Sequence, residues 1–213
     1  MRRLYSYFRS SAAYRVRIAL HLKGLAFDTI PVHLLRNGGE QHSSHYRALN
    51  PSELVPTLVD EGLNLGQSVA ILEYLEEAYP TPALLPSEHT QRAQIRSAVQ
   101  TIACDIHPLN NLRVLQYLEN TLHQDETARA TWYCHWVTQG LQTLETLLAP
   151  VAGDFCFGDQ PTLADCCLIP QMANARRFNT PLEAFPTLVS IDAHCRSLSA
   201  FAAASPEHQP DFN

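Results

Sequence analysis

The chain has 213 residues, 46% of them hydrophobic and 17% charged, which suits one globular chain or two small domains. Its formal net charge is −6, with eight basic and eight acidic residues up to position 84 and seven basic against thirteen acidic residues after it. This charge excludes a basic nucleic-acid surface, and no apolar stretch is long enough for a signal peptide or a membrane span. We therefore expect neither a nucleic-acid partner nor a membrane.

The first eighty residues predict alternating strands and helices. Strands are expected at 3–8, 27–34, 56–60 and 63–65, and helices at 11–23, 43–48 and 68–78. Gly24 is a typical residue just past a helix end, and Pro31 indicates an edge strand. Glu61-Gly62 predicts a hairpin. The order β-α-β-α-β-β-α is that of a thioredoxin-like domain, with helices on both faces of a four-stranded mixed sheet.

The rest of the chain predicts helices only. Prolines 80, 82 and 86 indicate a linker over 81–86, which separates a domain over 1–80 from an all-helical domain over 87–213. Long helices are expected over 88–121, with a kink at Pro108, and over 125–149. Thr162 and Asp165 predict a capping box at the start of a strongly apolar, central helix. A last helix is expected over 187–203.

The cysteines indicate a reducing, cytoplasmic compartment. They stand at positions 104, 134, 156, 166, 167 and 195. The first third of the chain has none, and two are adjacent within a helical pattern, so disulfides are not expected. No C-x-x-C motif and no paired Cys/His spacing is present, so we expect no metal site.

The junction between the first strand and the first helix is a candidate anion site. Ser10 and Ser11 stand there, where a helix offers free N–H groups and the positive end of its dipole. A thiolate or a carboxylate would suit this position. A serine at this place is also an ordinary N-cap, and both interpretations stay open.

Several separated motifs resemble the glutathione transferases, and their zeta class in particular, over essentially the whole chain. They are Tyr5–Ser11 with Arg15–Leu20, Leu54–Leu58, and Gln67-Ser68. The resemblance implies the thioredoxin-like domain followed by an all-helical domain, glutathione as cofactor, a homodimer and a cytoplasmic enzyme. Zeta-class chains commonly carry Ser-Ser-Cys-Ser where this chain has Ala12 and Ala13 in the last two places. A protein cysteine at this helix is thereby excluded from catalysis, whereas chemistry by the glutathione thiolate is not.

The resemblance also implies which residues bind glutathione. They are Ser10, Ser11, Gln41, Val55, Pro56, Gln67, Ser68, His107 and Asn111. A cis Val55–Pro56 bond would present the Val55 backbone to an extended peptide. The helix start at Gln67-Ser68 suits the γ-glutamyl carboxylate. Taken alone, Gln41 and Asn111 would be surface polar residues.

The implied reaction is the isomerisation of maleylacetoacetate to fumarylacetoacetate in aromatic amino-acid degradation. A glutathione thiolate adds to the conjugated double bond, the new single bond rotates, and elimination returns the thiolate. Lowering a thiol pKa of about 8.5 by roughly two units takes about 2.7 kcal/mol of preferential thiolate binding. Ser10 or Ser11 would supply it. Arg9, Arg176 and His107 are the candidates for holding the dianionic substrate and its enolate.

Three alternatives remain. The motif His107-Pro108-Leu109-Asn110-Asn111 resembles bacterial isomerases of two substrate types, so a maleylpyruvate isomerase of gentisate degradation is equally compatible. A general glutathione transferase acting on α-halo acids is another possibility. A non-enzymatic binding protein of this fold is disfavoured by the retained serines.

Arg17 is interpreted as structural and paired with a carboxylate beneath the first helix, and Arg177 as a solvated or domain-interface charge.

Overall fold

The computed structural model describes residues 1–212. Its contacts form two compact units: Met1–Leu84 together with the residues from Arg196 onward, and Leu85–Cys195. The predicted linker therefore lies at the first division. The C-terminal residues group with the N-terminal unit, whereas the sequence placed them with the helices. The predicted domain division itself stays a prediction.

The first unit contains a mixed sheet with strand order β2-β1-β3-β4. Its β1 is parallel to β2 and antiparallel to β3, which is antiparallel to β4. The strands are β1 (Arg2–Ser6), β2 (Phe27–Pro31), β3 (Thr57–Asp60) and β4 (Leu63–Gly66). The helices between them are α1 (Ser11–Leu22), α2 (Ser44–Leu49) and α3 (Ser68–Ala78). The thioredoxin-like order is confirmed.

Local chemistry explains where these elements end. Gly24 follows α1 with φ +64°, the left-handed conformation that glycine adopts without a Cβ clash. Glu61 and Gly62 both have positive φ, as a two-residue hairpin turn of type I′ requires. β2 is an edge strand, which tolerates Pro31. β1 ends at Ser6, earlier than predicted, because the Ser6–Pro31 pair is the last one that it forms with β2.

The second unit is helical. It contains α4 (His89–Gln100), α5 (His107–Asn110), α6 (Leu112–Asn120), α7 (Glu126–Leu148), α8 (Leu163–Arg177) and most of α9 (Pro186–Ser197). A π-helical segment over Thr101–Ile106 joins α4 to α5. The capping box is confirmed: the Asp165 carboxylate accepts the Thr162 N–H at 2.7 Å, and the Cys156 N–H at 2.8 Å. Burial raises the pKa of Asp165.

The prediction of one kinked helix over 88–121 is wrong. The chain breaks at Asn111, which is extended with ψ 163°. Its side-chain oxygen accepts the Val114 N–H at 3.2 Å and so caps α6. Pro108, which has no N–H to donate, lies one turn before this break.

The single last helix is also wrong. Leu198, with ψ 138°, separates α9 from α10 (Ser199–Ala204), and a 3₁₀ turn over Pro206–His208 follows. α10 packs against α1 within the first unit. Among residues 1–212, no helix combines the length and the apolar character that crossing a bilayer requires.

Candidate functional site

The strand register brings three of the predicted segments to one edge of the sheet. Tyr5 pairs with Thr57, and Thr57 pairs with Gly66. The chain just after β1, just before β3 and just after β4 therefore meets at this edge. These stretches carry Ser10-Ser11, Val55-Pro56 and Gln67-Ser68.

Ser10 is the N-cap of α1. Its Oγ accepts the Ala13 N–H at 3.2 Å, and no acidic residue lies in the first turn of the helix. A serine hydroxyl has two acceptor positions and one donor, so capping leaves its O–H free to donate. The N-cap and the anion site are therefore compatible at this one residue. Ser11 is the first residue of the helix and is buried.

The Val55–Pro56 bond is cis, as the resemblance implied. The preceding turn is fixed from α2, because the Tyr46 hydroxyl and the Asn50 amide donate to the Leu54 carbonyl at 2.6 and 2.8 Å. The hydrogen bonds found within residues 1–212 leave the Val55 N–H and C=O unused. Both groups are thus available to a bound peptide backbone.

Gln67 is the N-cap residue of α3, and its φ of +65° is rare for a residue other than glycine. Ser68 is buried, and its Oγ accepts a hydrogen bond from Arg15 Nη1 at 3.1 Å. Arg15 was not among the site residues predicted from the sequence. The available signal was an arginine on a largely apolar helix, four residues after Ser11. The Arg15 guanidinium places a positive charge beside the helix start at which a carboxylate was expected.

Gln41 and Arg9 lie on the same unit. Gln41 is buried in a 3₁₀ turn, and its Oε1 has no hydrogen-bond partner among the described residues. Gly39 makes room for it, since a Cβ there would lie 2.5 Å from Gln41 Nε2. Arg9 is exposed, with its guanidinium carbon 4.9 Å from the centre of the Phe8 ring. No ion pair of residues 1–212 involves Arg9.

The remaining predicted residues belong to the helical unit. His107 begins α5 and is half-buried, and Asn111 directly follows that helix. Arg176 lies near the end of α8, where its Nη2 is 2.6 Å from Oδ2 of the buried Asp192. Its Nη1 is buried and has no hydrogen-bond partner in the described part of the chain. Arg177 is exposed and lies over the Phe178 ring.

Comparison with known proteins identifies the family. The family model described as "Glutathione S-transferase, N-terminal domain" matches residues 4–83. A "Probable maleylacetoacetate isomerase" from Vibrio cholerae is 51% identical over 208 residues, covering 98% of this chain and 97% of that protein. The chain belongs to the glutathione transferases. This confirms the resemblance, because the similarity extends over essentially the whole chain.

Solved structures indicate the class within this family. The holo structure of a maleylpyruvate isomerase, described as a bacterial glutathione S-transferase of the zeta class, has a TM-score of 0.95 at 45% identity. It covers 99% of this chain and 100% of its own. A maleylacetoacetate isomerase from Anaeromyxobacter dehalogenans, with GSH bound in its active site, has a TM-score of 0.90 at 43% identity, covering 100% and 98%. The chain is therefore a zeta-class glutathione transferase.

None of the six cysteines, all of which lie within residues 1–212, forms a disulfide. Among residues 1–212, no group of three or more His, Cys, Asp or Glu side chains is arranged to hold a metal ion.

Proposed function

We propose that this zeta-class protein is a glutathione-dependent cis–trans isomerase that converts maleylacetoacetate to fumarylacetoacetate. Similar proteins over the full chain carry that activity in their names. The observation that carries the proposal is the Ser10 hydroxyl at the start of α1, whose donor stays free while its oxygen caps the helix. The proposed cofactor is glutathione, which occupies the active site of a similar structure.

Glutathione is proposed to lie along the sheet edge. Its extended backbone pairs with the free N–H and C=O of Val55, and its γ-glutamyl carboxylate meets Gln67 and Ser68 at the start of α3. Arg15 reinforces this end with its charge. Gln41 is proposed to contact the tripeptide through its unpartnered amide oxygen. Pro56, His107 and Asn111 complete the proposed binding residues.

The thiolate is stabilised by the donor and dipole at α1. Ser10 donates its hydroxyl hydrogen to the sulfur, and Ser11 contributes the first backbone N–H of the helix. The exposed guanidinium of Arg9, which has no ion pair within residues 1–212, adds positive charge nearby. Together these groups favour the ionised thiol, which is the nucleophile.

The proposed reaction regenerates glutathione at the end of each cycle. The thiolate electron pair forms a C–S bond to the conjugated alkene, and the alkene π electrons move to the conjugated carbonyl oxygen as an enolate. The former double bond is now single and rotates. Re-formation of the carbonyl restores the alkene and expels the thiolate, so glutathione is not consumed. Arg9, Arg176 and His107 are proposed to hold the carboxylates and the enolate.

Maleylpyruvate is a second candidate substrate, favoured by the zeta-class maleylpyruvate isomerase of TM-score 0.95. Both substrates present a cis alkene conjugated to a carbonyl, and the proposed chemistry is the same for each. A homodimer and a cytoplasmic location are also proposed. The absence of a disulfide among the six cysteines of residues 1–212 supports a reducing compartment.

A paired assay separates the substrates. The purified protein is given glutathione with maleylacetoacetate or with maleylpyruvate, and kcat/KM is measured for each. We expect the higher value for maleylacetoacetate. A higher kcat/KM for maleylpyruvate would make maleylpyruvate the substrate. If the kcat/KM for conjugating glutathione to an α-halo acid exceeded both isomerisation values, the protein would be a transferase instead of an isomerase. An Arg176→Ala variant should mainly raise the KM for the diacid, and an unchanged KM would remove Arg176 from the site.

A further inference from the structure

The backbone N–H and C=O of Phe8 are both hydrogen-bonded to charged side chains. Its N–H donates to Asp211 Oδ2 at 3.0 Å, and its C=O accepts from Arg17 Nη2 at 3.2 Å. Phe8 stands two residues before Ser10, and the Ser10 N–H closes the turn onto the Tyr7 carbonyl at 2.9 Å. The backbone that leads to the proposed thiolate donor is therefore fixed from outside the turn.

Arg17 forms the inner half of this arrangement. It is fully buried, and its Nη1 donates to Ser6 Oγ at 2.9 Å. Its Nε donates to the Ala204 carbonyl at 2.8 Å, which ties the end of α10 to the same cluster. The prediction of a carboxylate partner beneath the helix is wrong in this respect, because the hydrogen-bond acceptors of Arg17 are carbonyls and a hydroxyl. Burial lowers the pKa of Arg17 to about 10.

The C-terminal segment forms the outer half. Gln209 Nε2 donates to the carbonyls of Ala203 and Ser205, at 3.1 and 2.9 Å, and so folds the chain back after α10. The Phe212 ring meets the Phe8 ring edge-on, with the centres 5.6 Å apart. Asp211 lies between these two anchors, which bring its carboxylate to the Phe8 N–H.

Two carboxylates of this segment interact electrostatically with Arg17. They are Asp211 and Glu207. Asp211 also makes the hydrogen bond to Phe8, whereas Glu207 is exposed and its part is charge alone. The pair therefore separates a charge effect from a positioning effect within one short segment.

We propose that Asp211 is a positioning residue for the thiolate site: the C-terminal segment holds the Phe8 peptide unit through Asp211 and thereby directs the Ser10 hydroxyl at the glutathione sulfur. The inference rests on the proposed function. A hydrogen bond to a thiolate weakens as its donor direction deviates, so a small rotation of the turn raises the thiol pKa of bound glutathione. Contacts at Val55, Gln67 and Ser68 lie elsewhere on the sheet edge and stay intact.

The test compares Asp211→Ala, Asp211→Asn and Glu207→Ala with the unaltered protein. The thiol pKa of bound glutathione is measured from the ultraviolet absorbance of the thiolate against pH, and kcat and the KM for glutathione are measured beside it. We expect Asp211→Ala to raise that pKa and to lower kcat about three- to tenfold with little change in KM. Asp211→Asn keeps a side-chain acceptor and should restore both values, and Glu207→Ala should leave them unchanged.

The inference is overturned if Asp211→Ala keeps the original thiol pKa and kcat, if Asp211→Asn is no better than the alanine variant, or if Glu207→Ala shifts the values equally. Thermal unfolding is measured for each variant. If Asp211→Ala does not fold, Asp211→Ser takes its place, because the serine hydroxyl is too short to reach the Phe8 N–H. A failure of the proposed function looks different. In that case the unaltered protein itself binds no glutathione or leaves its thiol pKa at the value in solution.

Discussion

Ser10 shows how one side chain can serve both the fold and the chemistry. Its oxygen accepts the Ala13 N–H, and its hydrogen is directed by whatever acceptor lies beyond the helix start. From the sequence, a helix N-cap and an anion site are two alternative interpretations of Ser10. The structure makes them compatible, because a hydroxyl can accept and donate at the same time.

Replacing Ser10 by alanine removes the donor and the cap together. A charge-assisted hydrogen bond contributes about 1.5–3 kcal/mol, so we expect kcat to fall about ten- to a hundredfold, with glutathione binding largely retained. Ser10→Thr keeps a hydroxyl and controls for the lost cap. Steady-state kinetics and titration of glutathione binding give the answer. A larger loss in Ser11→Ala than in Ser10→Ala would transfer the donor role to Ser11.

The only lysine of the chain illustrates a purely structural charge. Lys23 Nζ donates to Glu76 Oε2 at 2.7 Å and to the carbonyls of Tyr79 and Pro82 at 2.8 and 2.9 Å, so its three hydrogens are all used. Its side chain is fully buried. It thus ties the end of α1 to the end of α3 and to the segment that follows.

Lys23→Met should destabilise the protein strongly, because it leaves the Glu76 carboxylate buried without its cation. Breaking such a pair costs about 3–5 kcal/mol, which urea unfolding would measure. The double variant Lys23→Met/Glu76→Gln should recover part of this loss. A loss below about 1 kcal/mol in the single variant would show that the pair is dispensable.

At the scale of elements, the segment before His107 departs most from what the sequence indicates. The apolar pattern runs through 88–121 without a visible stop, whereas the chain there passes through α4, a π-helical turn, α5 and a break at Asn111. The π-helical turn packs against α7 at Gly140. A Cβ on Gly140 would lie 2.1 Å from Ile106 Cγ1, so the two segments require glycine there. Such a long-range steric requirement leaves no mark in a local pattern.

Gly140→Ala should displace the π-helical turn and, with it, His107. We expect a loss of about 1–3 kcal/mol in unfolding free energy from overpacking, even though alanine favours a helix more than glycine does. Activity should fall in parallel. Adding Ile106→Ala creates the missing space and is the matched rescue. Equal stability of Gly140→Ala and the unaltered protein would contradict this account of the packing.

At the scale of the whole molecule, the sequence was informative where a local rule sufficed. The hairpin at Glu61-Gly62, the helix end at Gly24 and the capping box of Thr162 and Asp165 all follow short-range chemistry, and all are confirmed. The Arg17–Ala204 and Phe8–Asp211 hydrogen bonds join residues 187 and 203 positions apart. No spacing in the sequence could indicate them. Arg15 was missed for the same reason, since its partner Ser68 lies 53 positions away.

Stability should also depend on pH through His21. Burial and the neighbouring Arg17 lower the pKa of His21 in the folded chain. Below the ordinary pKa of histidine, about 6.5, the unfolded chain then binds a proton that the folded chain does not, so stability falls as pH decreases toward the folded pKa. His21→Gln should reduce the difference in unfolding free energy between about pH 7.5 and about pH 5.5. His45→Gln, at an exposed histidine, is the control, and an unchanged difference in His21→Gln would contradict the assignment.

The proposed isomerase activity requires that glutathione adds to the substrate as a nucleophile and is then released unchanged. The most direct measurement follows cis substrate, trans product and free thiol together in one reaction over many turnovers. We predict complete conversion of maleylacetoacetate with the thiol concentration constant, and no conversion when glutathione is omitted. Consumption of one thiol per product, or conversion that proceeds equally without glutathione, would contradict the account.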